Sequence, residues 1–190
     1  MFEGEYLNGK RNGEGKEYYE DGKLKFEGEY LNGLRNGNGV EFNEKSGIQF
    51  EGEYLNGKRN KKGKEYFYNE VLLYEGEYLK EYINGEFKSG KGKKYYDNGN
   101  IMFEGEYKDE VKNGKGKEYY INCNIMFKGA YLNGKRNGKG KEYYENGQLL
   151  FEGKYLKGLR NGEGKEYDET NELIFKGEYL DGNRWKGEGI

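Results

Sequence analysis

Along LKFEGEYL (residues 24–31) the positions alternate, with Leu24, Phe26, Gly28 and Tyr30 on one side and Lys25, Glu27, Glu29 and Leu31 on the other. A period of two predicts a strand. Turn-rich stretches such as NGKRNG (133–138) come next, then a second strand-like run, as in GKGKEYY (138–144). ENG or DNG then supplies the opposite turn. No segment carries a helical stripe of useful length. The phrase starts again at Phe2, Phe26, Phe50, Tyr74, Phe103, Phe127, Phe151 and Phe175, every 24 residues except for a fourth repeat of 29 with an insertion at 80–89. The pattern predicts one all-β domain over 1–190: an elongated antiparallel β-meander of about eight repeats, two strands each, forming an open twisted ribbon.

Numbering each repeat from its first aromatic, slot 5 is always Tyr, and slot 17 is aromatic in all seven repeats that reach it. The 34 glycines fall in slots 3, 8, 12, 14 and 21, with small shifts. Such confinement points to backbone causes: tight turns, or close approach of a ring. The aromatic rows are the expected core, with Phe at slot 1 and Tyr at slot 5 lying over glycines of adjacent strands. Slot 17 is ambiguous. Strict alternation puts Tyr143 on the side of Lys139 and Lys141. Either those lysines lie beyond the core near the loop, or a bulge at Gly140 resets the face.

Composition narrows the function. Only 33% of residues are hydrophobic and the mean hydropathy is −1.26, values typical of disorder, yet 17% are aromatic, which points to an ordered chain on a thin core. A net charge of −2, from 33 basic and 35 acidic residues, provides no global field for nucleic acid, which is not an expected partner. With one cysteine and no histidine, no intrachain disulfide, metal site or cofactor is predicted. The carboxylates at slots 2, 4 and 16 recur as rows, the pattern of a solvated charge ladder and not of an acid–base site. Cys123 replaces a turn glycine. The G-x-G pairs open strands, not helices, so they are not dinucleotide fingerprints. An enzyme is therefore not expected. The start has no apolar leader core and no 18-residue apolar run occurs, so the expected location is cytoplasmic, with any membrane or cytoskeletal attachment peripheral.

Phe26-Glu27-Gly28-Glu29-Tyr30, then Gly33, then Gly37-Asn38-Gly39 resembles the MORN repeat: aromatic-x-Gly-x-aromatic, followed by spaced glycines ending in G-x-G. The resemblance covers essentially the whole chain, with repeats of 24 instead of the usual 23 residues. KEYYENGQLLFEGKY (141–155) is similar to a variant subgroup also found in bacterial antitoxin-like proteins. The resemblance implies the fold, and roles as a scaffold, a cytoskeletal or membrane-associated linker, an accessory module beside enzymes, or a phospholipid binder.

Two sets of residues are candidates for contact. Slot 10 carries Arg11, Arg35, Arg59, Lys112, Arg136, Arg160 and Arg184 along one edge, suited to anionic lipid headgroups or an acidic protein. The competing explanation is Glu–Lys pairing that keeps the ribbon soluble. Slot 24 is polar at Lys25 and Gln49, then apolar at Leu73, Met102, Met126, Leu150 and Ile174, while Lys128, Ala130, Lys154 and Lys176 dilute the acidic slots 2 and 4. Met102, Met126, Leu150 and Ile174, with Tyr82 and Phe87 of the insertion, are candidate protein contacts. The expected function is a non-enzymatic scaffold for protein partners, self-associating as a homodimer. The alternatives are a peripheral adaptor on anionic phospholipid and an antitoxin or immunity-like inhibitor of a toxin.

Overall fold

The protein is described by a computed structural model covering residues 1–45, 47–67, 70–79 and 87–189, with the backbone alone at 79 and 87–89. Among the described residues sixteen strands occur in chain order, with no helix, and within each of two units every strand is antiparallel to its neighbours. The chain divides into two compact units, Met1–Gly99 and Asn100–Ile190. The first contains β1 (Phe2–Leu7), β2 (Lys10–Tyr18), β3 (Leu24–Leu31), β4 (Leu34–Asn43), β5 (Gly47–Leu55), β6 (Lys58–Tyr66), β7 (Leu72–Leu79) and β8 (Phe87–Tyr95). The second contains β9 (Ile101–Lys108), β10 (Val111–Tyr119), β11 (Ile125–Leu132), β12 (Lys135–Tyr143), β13 (Leu149–Leu156), β14 (Leu159–Tyr167), β15 (Leu173–Leu180) and β16 (Asn183–Gly189). The all-β meander read from the period is the observed fold. Of the insertion, residues 80–86, Tyr82 included, lie outside the described residues, and Phe87 opens β8.

Glycine sets the register. Gly28 stands opposite Gly15 on one side and Gly39 on the other, and the same slot-3 to slot-14 pairing recurs at Gly129↔Gly140 and Gly153↔Gly164. Over each such pair lies the slot-1 ring. A Cβ on Gly39 would overlap the Phe26 ring, and one on Gly15 would stand 2.5 Å from that of Phe2. The rings of Phe26, Phe50, Phe103, Phe127 and Phe151 are wholly buried this way. Each slot-1 ring meets the slot-5 Tyr of its own repeat edge-to-face at 5.3–5.8 Å. It also meets the slot-5 Tyr of the next repeat at 5.0–5.4 Å, in the first unit (Phe2–Tyr30, Phe26–Tyr54, Phe50–Tyr78) and in the second (Phe103–Tyr131, Phe127–Tyr155, Phe151–Tyr179). Edge-to-face pairs at these distances are the favoured aromatic geometry. The core of each unit is thus a zipper of two aromatic rows on one sheet face.

Two bulges recur along the strands, and neither adds a residue between Gly140 and Tyr143. In β12 the partners step from Gly129↔Gly140 to Tyr131↔Arg136, so residues 137–139 face the single residue Ala130. Gly138, at φ 76°, makes that excursion possible. From Gly140 to Tyr143 alternation is strict. The break precedes Gly140, and Tyr143 shares the side of Lys141, outside the core. The slot-17 row is a half-buried row of the second face: Tyr119 donates to Glu104 (2.8 Å) and Tyr95 to Glu75 (2.7 Å). At the second bulge Glu142 opposes Phe151 and Tyr143 opposes Leu149, leaving Leu150 as the extra residue. Slot 23 therefore belongs opposite slot 17, not with the core rings. The far turns are tied across repeats by slot-18 tyrosines: the Tyr120 and Tyr144 hydroxyls each donate at 2.9 Å to the Tyr143 and Tyr167 carbonyls.

Candidate interaction surface

The slot-10 cations lie at the second residue of each repeat's second strand, on the core face. Arg35 stacks over the Phe26 ring at 4.0 Å, Arg136 over Phe127 at 4.2 Å and Arg160 over Phe151 at 4.3 Å. Their donors are spent on the slot-16 glutamates. In the second unit the ladder runs Glu118–Arg136 (2.6 Å), Arg136–Glu142 (3.3 Å), Glu142–Arg160 (2.7 Å), Arg160–Glu166 (3.3 Å) and Glu166–Arg184 (2.8 Å), with Lys112 beginning it on Glu118. The first unit repeats it through Arg11, Glu17, Arg35, Glu41, Arg59 and Glu65. The same glutamates accept from slot-5 hydroxyls, Tyr30 to Glu17 at 2.7 Å and Tyr155 to Glu142 at 2.8 Å. Burial alone would raise the Glu118 carboxyl, but hydrogen bonds from Lys112 and Arg136 outweigh it and hold it below the ordinary carboxylate range. The balance is the same at Glu17, where Tyr30 and Arg35 donate. The interior arginines are 15–23% exposed, against 36% for Arg11 and 47% for Arg184. This row is structural by its geometry, since it covers the aromatic zipper and neutralises the glutamates beside it.

The slot-24 row lies at the second bulge. Met102, Met126, Leu150 and Ile174 are half-buried, while Lys25 and Gln49 at the same slot are exposed. No side chain is described at Phe87. The structure therefore groups the slot-24 residues with slots 17 and 23 in each unit and brings none of them to the arginine ladder.

A more exposed apolar row was not singled out from the sequence. At the near turns, residues such as Asn32 (φ 53°) and Gly33 (φ 90°) form left-handed pairs that suit two-residue hairpins. Flanking these turns, the slot-6 leucines point outward: Leu31 at 49% exposed, Leu132 at 52%, Leu156 at 49% and Leu180 at 45%. Leu31 pairs across the hairpin with Leu34, and Leu156 with Leu159, both also exposed. The signal was present, because slot 6 is Leu in every repeat but the fifth, where it is Lys108. It is inconspicuous because a single Leu beside a polar turn looks like ordinary surface. Among the described residues no group of three or more metal-ligating side chains occurs, and Cys123 is exposed in a far turn.

Family models match most of these repeats. The MORN repeat matches at residues 26–43, 50–70, 103–122 and 127–149, and the MORN repeat variant at 11–32, 88–109 and 160–181. No curated protein matches the chain.

Proposed function

This chain belongs to the MORN-repeat proteins, whose non-enzymatic repeats mediate protein or membrane interactions, and we propose that it is a scaffold for protein partners. The observation carrying the proposal is the leucine row along the near turns. The core face is filled by its own zipper and ion ladder, whereas the leucines recur on the same period with no packing duty of that kind. Within each unit, an exposed apolar row that recurs repeat by repeat offers similar footholds at a regular interval, the property a scaffold needs. The test compares affinity capture by the wild-type chain and by a Leu132→Glu/Leu156→Glu variant, with circular dichroism as the folding control. The proposal expects partners that the wild type retains and the folded variant loses. An unchanged set of partners would contradict it.

A second reading, the peripheral membrane adaptor, draws on one observation: Lys10, Lys58, Lys135 and Lys157 are exposed at the same turns as the leucines. An apolar row edged with cations suits an anionic bilayer surface. Flotation with anionic and neutral vesicles tests it. Retention on anionic vesicles that falls with added salt supports it, and no retention removes it.

A further inference from the structure

The second faces of the two units differ in charge although one repeat builds both. In the first unit every residue at slots 2 and 4 is glutamate. Slot-15 lysines oppose some of them, as in Lys16↔Glu27 and Lys64↔Glu75. Glu14 and Glu29, however, stand directly opposite each other, with no cation within 4.0 Å of either among the described residues. In the second unit the pattern inverts across β10 to β13. Lys128 is flanked by Lys117 on one side and Lys141 on the other, and Lys139 faces Lys154. Lys117 and Lys141 reach Glu104 and Glu152, but among the described residues Lys128 and Lys139 have no carboxylate within 4.0 Å.

Like charges directly opposite one another on a sheet are destabilising. Alternation, which much of the first unit keeps, would remove the repulsion at no cost to the core. Clustered cations on one unit and clustered carboxylates on the other are the two halves of a complementary contact. The glutamates of slots 2 and 4 stand on every second strand and the lysines on successive strands, so both sets recur at multiples of one strand spacing of about 4.8 Å. The lysine stems can also lie over the half-buried rings of Tyr119 and Tyr143. We infer that the lysine lattice on β10–β13 docks on the glutamate rows of the first unit of a second copy of this chain. The inference rests on the scaffold reading and names one partner for it.

Sedimentation velocity of the full chain at about 0.05 M and about 1 M salt is the test, because the screening length falls to about 3 Å at the higher value. The wild type should exceed monomer mass at low salt and fall to monomer at high salt. Lys128→Glu/Lys141→Glu should be monomeric at low salt, and so should Glu14→Lys/Glu29→Lys. Mixing the two variants should restore association, because the native glutamate rows of one then meet the native lysine lattice of the other. Circular dichroism melts check folding, and Lys128→Gln/Lys141→Gln, expected to weaken association at least tenfold, replaces a charge-reversal variant that does not fold. A wild-type monomer at both salts, or no restoration on mixing, overturns the inference. So does a monomer that instead binds phosphatidylserine vesicles or a polyanion through these lysines. Leu132→Glu/Leu156→Glu separates the two proposals: it should lose foreign partners and keep the salt-dependent self-association.

Discussion

At Gly140 the chain has no room for a side chain, because a Cβ there would overlap the ring of Phe127, itself wholly buried. Gly140→Ala should cost about 1–3 kcal/mol by overpacking, and Phe127→Ala about 3–5 kcal/mol by cavity formation. Urea unfolding measures both. If Gly140→Ala unfolds at the wild-type midpoint, the ring does not lie over this glycine. The pH profile also follows from single residues. Glu17, Glu118 and Glu166 have carboxyls lowered in the fold, so their contribution is complete above the ordinary value of 4.5 and is lost as pH falls below it. Tyr179 is pushed up to about 12, first by burial and then by its hydrogen bond to Glu166, and Tyr155 is raised further. Those hydroxyls contribute stability below 10.0 that is lost as pH rises from there through the folded values. With no histidine in the chain, thermal melts should show a plateau from about pH 5 to 9 and fall on both sides. A step near pH 6.5 would contradict this assignment.

At the scale of the strand, the two faces do different work, and a matched pair of substitutions separates them. Tyr155, 4% exposed in the zipper, and Tyr143, half-buried on the second face, lie on adjacent strands. Tyr155→Ser should destabilise by about 3 kcal/mol or more, and Tyr143→Ser by about 1 kcal/mol. Equal losses in chemical denaturation would return slot 17 to the core. Arg136→Met should cost about 1–3 kcal/mol by leaving Glu118 and Glu142 short of a part-buried cation. Lys139→Met, which breaks no pair, should stay within about 0.5 kcal/mol. The strands themselves were legible in the sequence: Phe26, Gly28 and Tyr30 alternate, and Asn32-Gly33 marks the turn. The facing of Tyr143 was legible too, since alternation sets it beside Lys139 and Lys141, but its aromatic type pointed to the core. What counting by twos cannot register is that residues 137–139 oppose a single partner. Arg136 read as an edge cation because it follows a polar turn, yet it stands opposite Tyr131 and stacks on Phe127. Leu132 was visible but unremarked, since only exposure distinguishes it from a core leucine.

At the scale of the molecule, the zipper and ladder hold each unit together, and the leucines of the near turns stay exposed. The most direct test is one experiment with two readouts, thermal stability and partner capture, on Leu132→Glu/Leu156→Glu beside Gly140→Ala. The leucine variant should melt with the wild type and lose its partners, whereas Gly140→Ala should melt lower and, below its melting point, keep them. A leucine variant that unfolds early, or one that melts normally and still binds every partner, would contradict the account.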